Sequence, residues 1–255
     1  MSQPYLSLEA ELHDAFWAAE DDASEVSLMA AFLKQHPGPA LEIGCGSGRL
    51  LLPLLQQGHE IEGLELSHDM LDLAKKSAAR EGLKPTLHLG DMTCWPPQRK
   101  YASLLAPAFT LQLADDALAT LRRWHGWLEK GGGLYLTIFI PFSEIEGDQP
   151  ENTWYRDHEA TLQDGRIAVM ETRHEIDLAA KILRREHRYQ ISGDSRHHQS
   201  IQVIRWYDPD EMSQLLEEAG YEIVDCFSDF NPPGPAAELD DPEFQGIVTF
   251  HARTC

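Results

Sequence analysis

The stretch Ala-Leu-Glu-Ile-Gly-Cys-Gly-Ser-Gly-Arg-Leu at residues 40–50 constrains this chain more than any other. Ala40, Leu41 and Ile43 make a short apolar run with the character of a buried strand. It breaks into three alternating glycines, Gly44, Gly46 and Gly48, and resumes as an apolar helical stretch over 50–55. Glycine has no Cβ and accepts positive φ, so a ligand can lie directly on the backbone at such a turn. Glu42, just upstream, can orient from the strand end toward the same crevice. A dinucleotide fold would carry Gly-x-Gly-x-x-Gly. Counted from Gly44, its third glycine falls at Arg49, so the spacing argues against a pyrophosphate ligand.

Downstream, Ile61 and Leu64 mark a second short strand that ends in Glu65. An ionised carboxylate is acceptor-only and suits two vicinal hydroxyls. Ser67 then caps a helix running to about Arg80, with Met70, Leu71, Leu73 and Ala74 as its apolar face. A third strand is expected over 85–90, followed by Asp91-Met92, and a fourth over 104–107, entered by Tyr101-Ala102-Ser103. Residues 115–129 read as a helix, closed by Lys130-Gly131-Gly132-Gly133 before a strand over 134–140. Strands alternating with helices imply a parallel sheet covered on both faces, with its binding crevice at the carboxyl ends of the strands.

Taken in order, the Glu-x-Gly-x-Gly-x-Gly loop, Glu65, Asp91-Met92 and Leu-Glu-Lys-Gly-Gly-Gly resemble class I S-adenosylmethionine-dependent methyltransferases of the small-molecule type. The resemblance covers most of 8–133 by motif and the C-terminal third by pattern. It implies a Rossmann-like, mostly parallel seven-stranded sheet with helices on both faces and an antiparallel last strand pair. It also implies S-adenosyl-L-methionine as cofactor, held by Glu42, Gly44, Cys45, Gly46, Gly48 and Arg49 of the loop, and by Glu65, Leu66 and Met70 after the second strand. Asp91 would accept from the adenine amino group, Met92 would flank the base, and Ala106 would pass beside the methionine part. The acid that relatives carry on entering the fourth strand is missing here.

The ends of the chain differ in character. A helical pattern over 6–36 includes Leu8, Leu12, Ala15, Phe16 and Ala19, then an amphipathic stretch over 26–33, closed by Pro37-Gly38-Pro39. In the resembled family such a helix folds over the cofactor, which makes Trp17, or Phe16, a candidate lining residue. After a loop over 141–150, Trp154 to His158 reads as a polar-aromatic border of a substrate pocket. Three β-like stretches follow at 166–177, 181–192 and 198–207, expected as an antiparallel insertion over the active-site mouth. Asp208 and Pro209 open a last helix ending before Gly220, and strands over 221–227 and 246–251 complete the chain. We therefore expect one methyltransferase domain over 1–255: a helical cap (1–38), a cofactor-binding core (39–140), a substrate-side β insertion (141–207), and a closing helix with the last strands (208–255).

Composition excludes more than it selects. With 21 Lys+Arg against 42 Asp+Glu, the formal charge is −21, a field that repels phosphate backbones and anionic lipid, so neither nucleic acid nor a membrane is an expected partner. No apolar run reaches the length of a membrane span, and the N-terminus lacks a signal-peptide pattern. Cys45, Cys94, Cys226 and Cys255 show no Cys-x-x-Cys spacing, which points to free thiols in the cytoplasm and to no metal site.

Methyl transfer asks mainly for a held lone pair and excluded water, and for a base only where the acceptor must lose a proton. That leaves the cofactor motifs legible and the catalytic group unassigned. His158, His174, His187, His197 and His198 are possible bases; Arg173 or Arg205 can grip a carboxylate. Of these, His158, His174 and Arg205 are carried as catalytic candidates, with a small-molecule N or O acceptor as the partner. The alternatives are a protein or tRNA methyltransferase and a protein that binds the donor without turnover.

Overall fold

A computed structural model describes residues 5–17, 22–228 and 246–255. Its centre is a seven-stranded sheet. Five strands run parallel: β1 (Ala40–Ile43), β2 (Ile61–Glu65), β3 (Thr86–Leu89), β4 (Tyr101–Ala106) and β5 (Leu128–Phe139). β1 lies between β2 and β4, so the chain builds outward in both directions from the glycine stretch. β1 and β4 are buried along their whole length, as expected of strands covered on both faces. At the far edge β10 (Tyr221–Ser228) and β11 (Ile247–Thr254) add antiparallel strands next to β5.

Helices α1 (Leu8–Phe16), α2 (Asp22–Gln35), α3 (Leu51–Gln56), α4 (His68–Glu81), α5 (Ala117–Trp127), α6 (Phe142–Glu146) and α7 (Pro209–Glu218), a short 3-10 helix (Thr110–Leu113) and a second sheet complete the described part. That sheet is antiparallel and four-stranded: β6 (Tyr155–Thr161), β7 (Ile167–Asp177), β8 (Ile182–Ile191) and β9 (His198–Arg205). Local sequence explains the helix ends. Ser67 Oγ accepts from Met70 N at 3.2 Å to open α4, and Gly82 closes it at φ 72°. Asp116 Oδ1 accepts from Ala119 N at 2.9 Å at the start of α5. At α7 the Asp208 N–H donates to Glu211 Oε2 at 3.0 Å.

The mixed sheet and the antiparallel insertion match the expectation; several boundaries do not. The pattern over 6–36 resolves into α1 and α2, and Ala19 lies outside the described residues. The helix expected to run to Glu129 stops at Trp127, because Leu128 turns to an extended conformation and pairs with Tyr101. The next pair of that ladder is Ser103 with Gly133, so residues 129–132 bulge out of β5 and form no turn ahead of it. The expected loop over 141–150 contains α6.

The stretch expected to border a pocket opens a fourth strand of the insertion, β6, and its Tyr155, Arg156, Asp157 and His158 do line a cavity. Its Tyr-Arg-Asp-His-Glu-Ala-Thr sequence shows no clean apolar alternation, in keeping with its place at the sheet edge.

α1 ties the two sheets together. Leu8, Leu12 and Phe16 share a buried cluster with Ala168, Met170, Tyr189 and Ile191 of the insertion. Glu9, 6% exposed, accepts from Tyr189 Oη at 2.9 Å and Ser200 Oγ at 2.8 Å. On its other side the helix is held to the core: Ser7 N donates to Asp69 Oδ2 at 2.7 Å, and Ser47 Oγ to Asp14 Oδ1 at 2.6 Å. No helix of the described residues is long and apolar enough to cross a membrane.

Candidate active site

The glycine loop leaves β1 with Gly44 at φ 74° and Gly46 at φ 54°, conformations that a side chain resists. A Cβ at Gly44 would lie 2.7 Å from Thr110 Oγ1, and one at Gly46 would lie 3.3 Å from Met70 Cε. The Gly46 N–H donates to Glu65 Oε2 at 3.1 Å while the Ser67 N–H donates to Oε1 at 2.7 Å. Each carboxylate oxygen is thereby oriented and keeps lone-pair capacity for a further donor. Burial raises the Glu65 carboxyl above its ordinary pKa, and those backbone bonds pull it back. Asp91, after β3, uses Oδ1 to accept from Thr93 N and Thr93 Oγ1, both at 2.7 Å.

These groups converge on a cavity of about 440 Å³ at the carboxyl ends of β1, β2 and β3. Of the expected cofactor residues, Gly44, Gly46, Glu65, Leu66, Met70, Asp91 and Met92 line it. Glu42, Cys45, Gly48, Arg49 and Ala106 do not. Glu42 is 2% exposed within the sheet, in register with Gly63 and Leu105, and its Oε2 has no hydrogen-bond partner among the described residues. Burial, then the nearby charges of Glu25 and Glu65, push its carboxyl well up. Cys45 is buried against Gly63, whose missing side chain leaves room for its sulfur, and Ala106 is fully buried. Thr110, Ala108 and Asp115 also line the cavity. They follow β4, where the resemblance implied that residues 106–109 pass beside the methionine part, with Phe109 as a candidate wall; of these only Ala108 lines the cavity.

A second cavity of about 430 Å³ opens between α1, α6 and the insertion sheet. It shares Tyr5 and His13 with the first. Trp17 belongs here rather than to the first cavity. Tyr5 Oη accepts from Gln202 Nε2 at 3.2 Å, and burial, with the charges of Glu9 and Glu65, raises its phenol pKa. The Tyr5 and His13 rings stand edge to face, 5.6 Å apart. Neither residue carried a sequence signal.

Asp157 and His187 of this lining meet at the buried Thr172, whose Oγ1 donates to Asp157 Oδ2 at 2.7 Å and lies 2.8 Å from His187 Nδ1. The threonine has one proton and gives it to the carboxylate, so His187 Nδ1 must donate and its Nε2 is left an acceptor. Burial, then the Arg185 charge, lowers the His187 pKa to about 4 and holds the ring neutral.

The catalytic candidates separate. His158 lines the second cavity, with its ring 4.9 Å from that of Trp17 and its Nε2 3.7 Å from Asp157 Oδ1. His174 is 1% exposed, lines neither cavity, and has no partner at either ring nitrogen among the described residues. Arg205 also lines neither; its Nη1 lies 3.2 Å from Asp115 Oδ1. Arg173 is paired with Glu186, and His198 stands 3.7 Å from Glu9. Among the described residues no cluster of three His, Cys, Asp or Glu side chains is placed to hold a metal ion.

Known proteins share the fold. Residues 40–132 match a family model described as a methyltransferase domain. Over 238 residues, 89% of this chain and 87% of the relative, the chain is 26% identical to dTDP-3-amino-3,6-dideoxy-alpha-D-glucopyranose N,N-dimethyltransferase of Streptomyces fradiae. It superimposes on an S-adenosylmethionine-dependent methyltransferase from Clostridium acetobutylicum with a TM-score of 0.76 at 15% identity, covering 96% of this chain and 97% of that one. The CcbJ methyltransferase of Streptomyces caelestis gives 0.72 at 24% identity, with 96% of each chain covered.

Proposed function

We propose that this chain, which has the class I fold of S-adenosylmethionine-dependent methyltransferases, transfers a methyl group to a nitrogen of a small sugar-like acceptor. The observation that carries the reading is the meeting of two cavities at Tyr5 and His13, one with the donor's recognition groups and one open for an acceptor.

The first cavity fits the donor by the chemistry of its walls. Glu65 is held by two backbone N–H groups with lone pairs to spare for a ribose diol. Asp91 has Oδ1 engaged by Thr93 and keeps Oδ2 for an amino group of the base. Leu66, Met70 and Met92 supply apolar flanks, and Gly44 and Gly46 remove side chains where the backbone must approach. S-adenosylmethionine, when bound, supplies a methyl group already activated by its sulfonium.

The protein's work is then to position the acceptor and keep water out. α1 does both, closing the space between the sheets while Tyr5 and His13 stand where the cavities meet. Neutral His187, its tautomer fixed through Thr172 and Asp157, accepts a hydroxyl or amine proton of the acceptor at Nε2. His158, beside Asp157, takes the proton that a substituted amine must lose. This reading takes the whole chain as one functional domain, acting in the cytoplasm with free thiols and without nucleic acid or membrane partners.

Methyl-labelled S-adenosylmethionine incubated with the purified protein and a panel of amino sugars tests this. Label in the amino-sugar fraction is expected. Label only in protein or RNA would overturn the small-molecule reading, and donor binding without any transfer would favour a binding protein.

A further inference from the structure

We infer that the acceptor carries no phosphate: the second cavity is built for a hydroxylated amine and not for a nucleotide-linked one. The inference rests on the methyl-transfer reading above and narrows its substrate. The Streptomyces fradiae relative is named for a dTDP-linked amino sugar. A pyrophosphate brought to a protein surface needs cationic donors to replace its water, and arginine forks are the usual ones.

The second cavity has two arginines, and both are engaged. Arg185 directs Nε at 2.9 Å, and Nη2 closer still, to Oε1 of Glu144, which is 8% exposed. Arg156 Nη1 lies 2.6 Å from Glu159 Oε2. No lysine lines the cavity among the described residues. As sequence, 1–4, 18–21 and 229–245 contain neither lysine nor arginine, whereas 229–245 contains Asp229, Glu238, Asp240, Asp241 and Glu243. The whole chain carries −21, which opposes an approaching polyanion further.

The cavity instead offers acceptors. Asp157 has Oδ2 taken by Thr172, with Oδ1 3.7 Å from His158, and His187 presents one unprotonated nitrogen. Ser143 and Gln149 add neutral polar groups, and Phe16 and Trp17 an apolar wall. Hydroxyl and ammonium protons find carboxylate and imidazole acceptors on such walls, whereas phosphate oxygens would have to compete with Glu144 and Glu159 for the two arginines.

The test is calorimetry on the full chain saturated with S-adenosylhomocysteine. Methyl 3-amino-3,6-dideoxy-alpha-D-glucopyranoside and dTDP are titrated separately, and each amino sugar, free and dTDP-linked, is assayed for methyl transfer. dTDP is expected to bind at least about tenfold more weakly than the glycoside, with the phosphate-free sugar the better acceptor. Glu144→Gln, which frees Arg185 and keeps its buried neighbour polar, is expected to raise dTDP affinity about tenfold, and Glu159→Gln, on the exposed Arg156 pair, to raise it less. Micromolar dTDP binding by the unaltered protein, or no gain in a Glu144→Gln protein that still binds S-adenosylhomocysteine, would overturn the inference. Failure to bind S-adenosylhomocysteine would instead overturn the methyl-transfer reading.

Discussion

Gly46 donates its backbone N–H to Glu65 Oε2 across 3.1 Å, so the loop after β1 and the carboxylate after β2 act as one recognition unit. Removing the carboxylate strips acceptors from Gly46 N, from Ser67 N and from the proposed ribose at once. Glu65→Ala is therefore expected to weaken S-adenosylhomocysteine binding by about 1.5–3 kcal/mol, the range for hydrogen bonds to a charged group. Calorimetry checks this, and an unchanged Kd would remove Glu65 from the donor site.

The loop also tolerates no side chain at its first glycine. Gly44→Ala puts a methyl 2.7 Å from Thr110 Oγ1 and 2.8 Å from its Cγ2, on a residue at φ 74°. The backbone strain alone is about 1–2 kcal/mol. The double variant Gly44→Ala/Thr110→Ala removes the clash and keeps the strain. Thr110→Ala also loses the Thr110 Oγ1 bond to Pro107 O at 2.8 Å, so the double variant is compared with Thr110→Ala alone: in urea denaturation Gly44→Ala is expected to cost more than the backbone strain in the parent and only that strain in the Thr110→Ala background.

How much of this was legible in the sequence depends on the range of the interaction. The strand alternation and the glycine spacing are local and pointed Gly44, Gly46 and Glu65 at one crevice, while the family resemblance implied Asp91; all four line one cavity. Glu42 is one residue from Ile43 and two from Gly44, yet its carboxylate stays inside the sheet, because strand register and not proximity decides which way a side chain faces. β6 escaped notice because its charged residues give an edge strand no clean alternation. The second cavity is assembled from pairs far apart in the chain, such as Glu9 with Tyr189 and Glu144 with Arg185, which no local pattern records.

The Glu9–Tyr189 pair makes α1 the keystone of the second cavity. Glu9→Leu would leave the hydroxyls of Tyr189 and Ser200 buried without their acceptor, each at a cost of about 1–3 kcal/mol. α1 should then loosen from the insertion sheet. Hydrogen exchange over 8–16 is expected to quicken, and KM for the acceptor to rise more than the Kd of S-adenosylhomocysteine. Equal losses at both sites would mean that α1 serves the core alone.

His187 should leave a signature in stability against pH. Its folded-state pKa of about 4 lies below the ordinary histidine value of 6.5, so the unfolded chain binds the extra proton between those limits. The contribution of the neutral ring is complete above about pH 6.5 and is lost as the pH falls toward 4, to a total of about 3 kcal/mol. His187→Gln cannot titrate, and its amide can still donate to Thr172. The stability difference between the parent and this variant, read from urea midpoints at successive pH values, is expected to shift against the parent from pH 6.5 to 4. A difference constant over that window would mean that His187 titrates alike in the folded and unfolded chains.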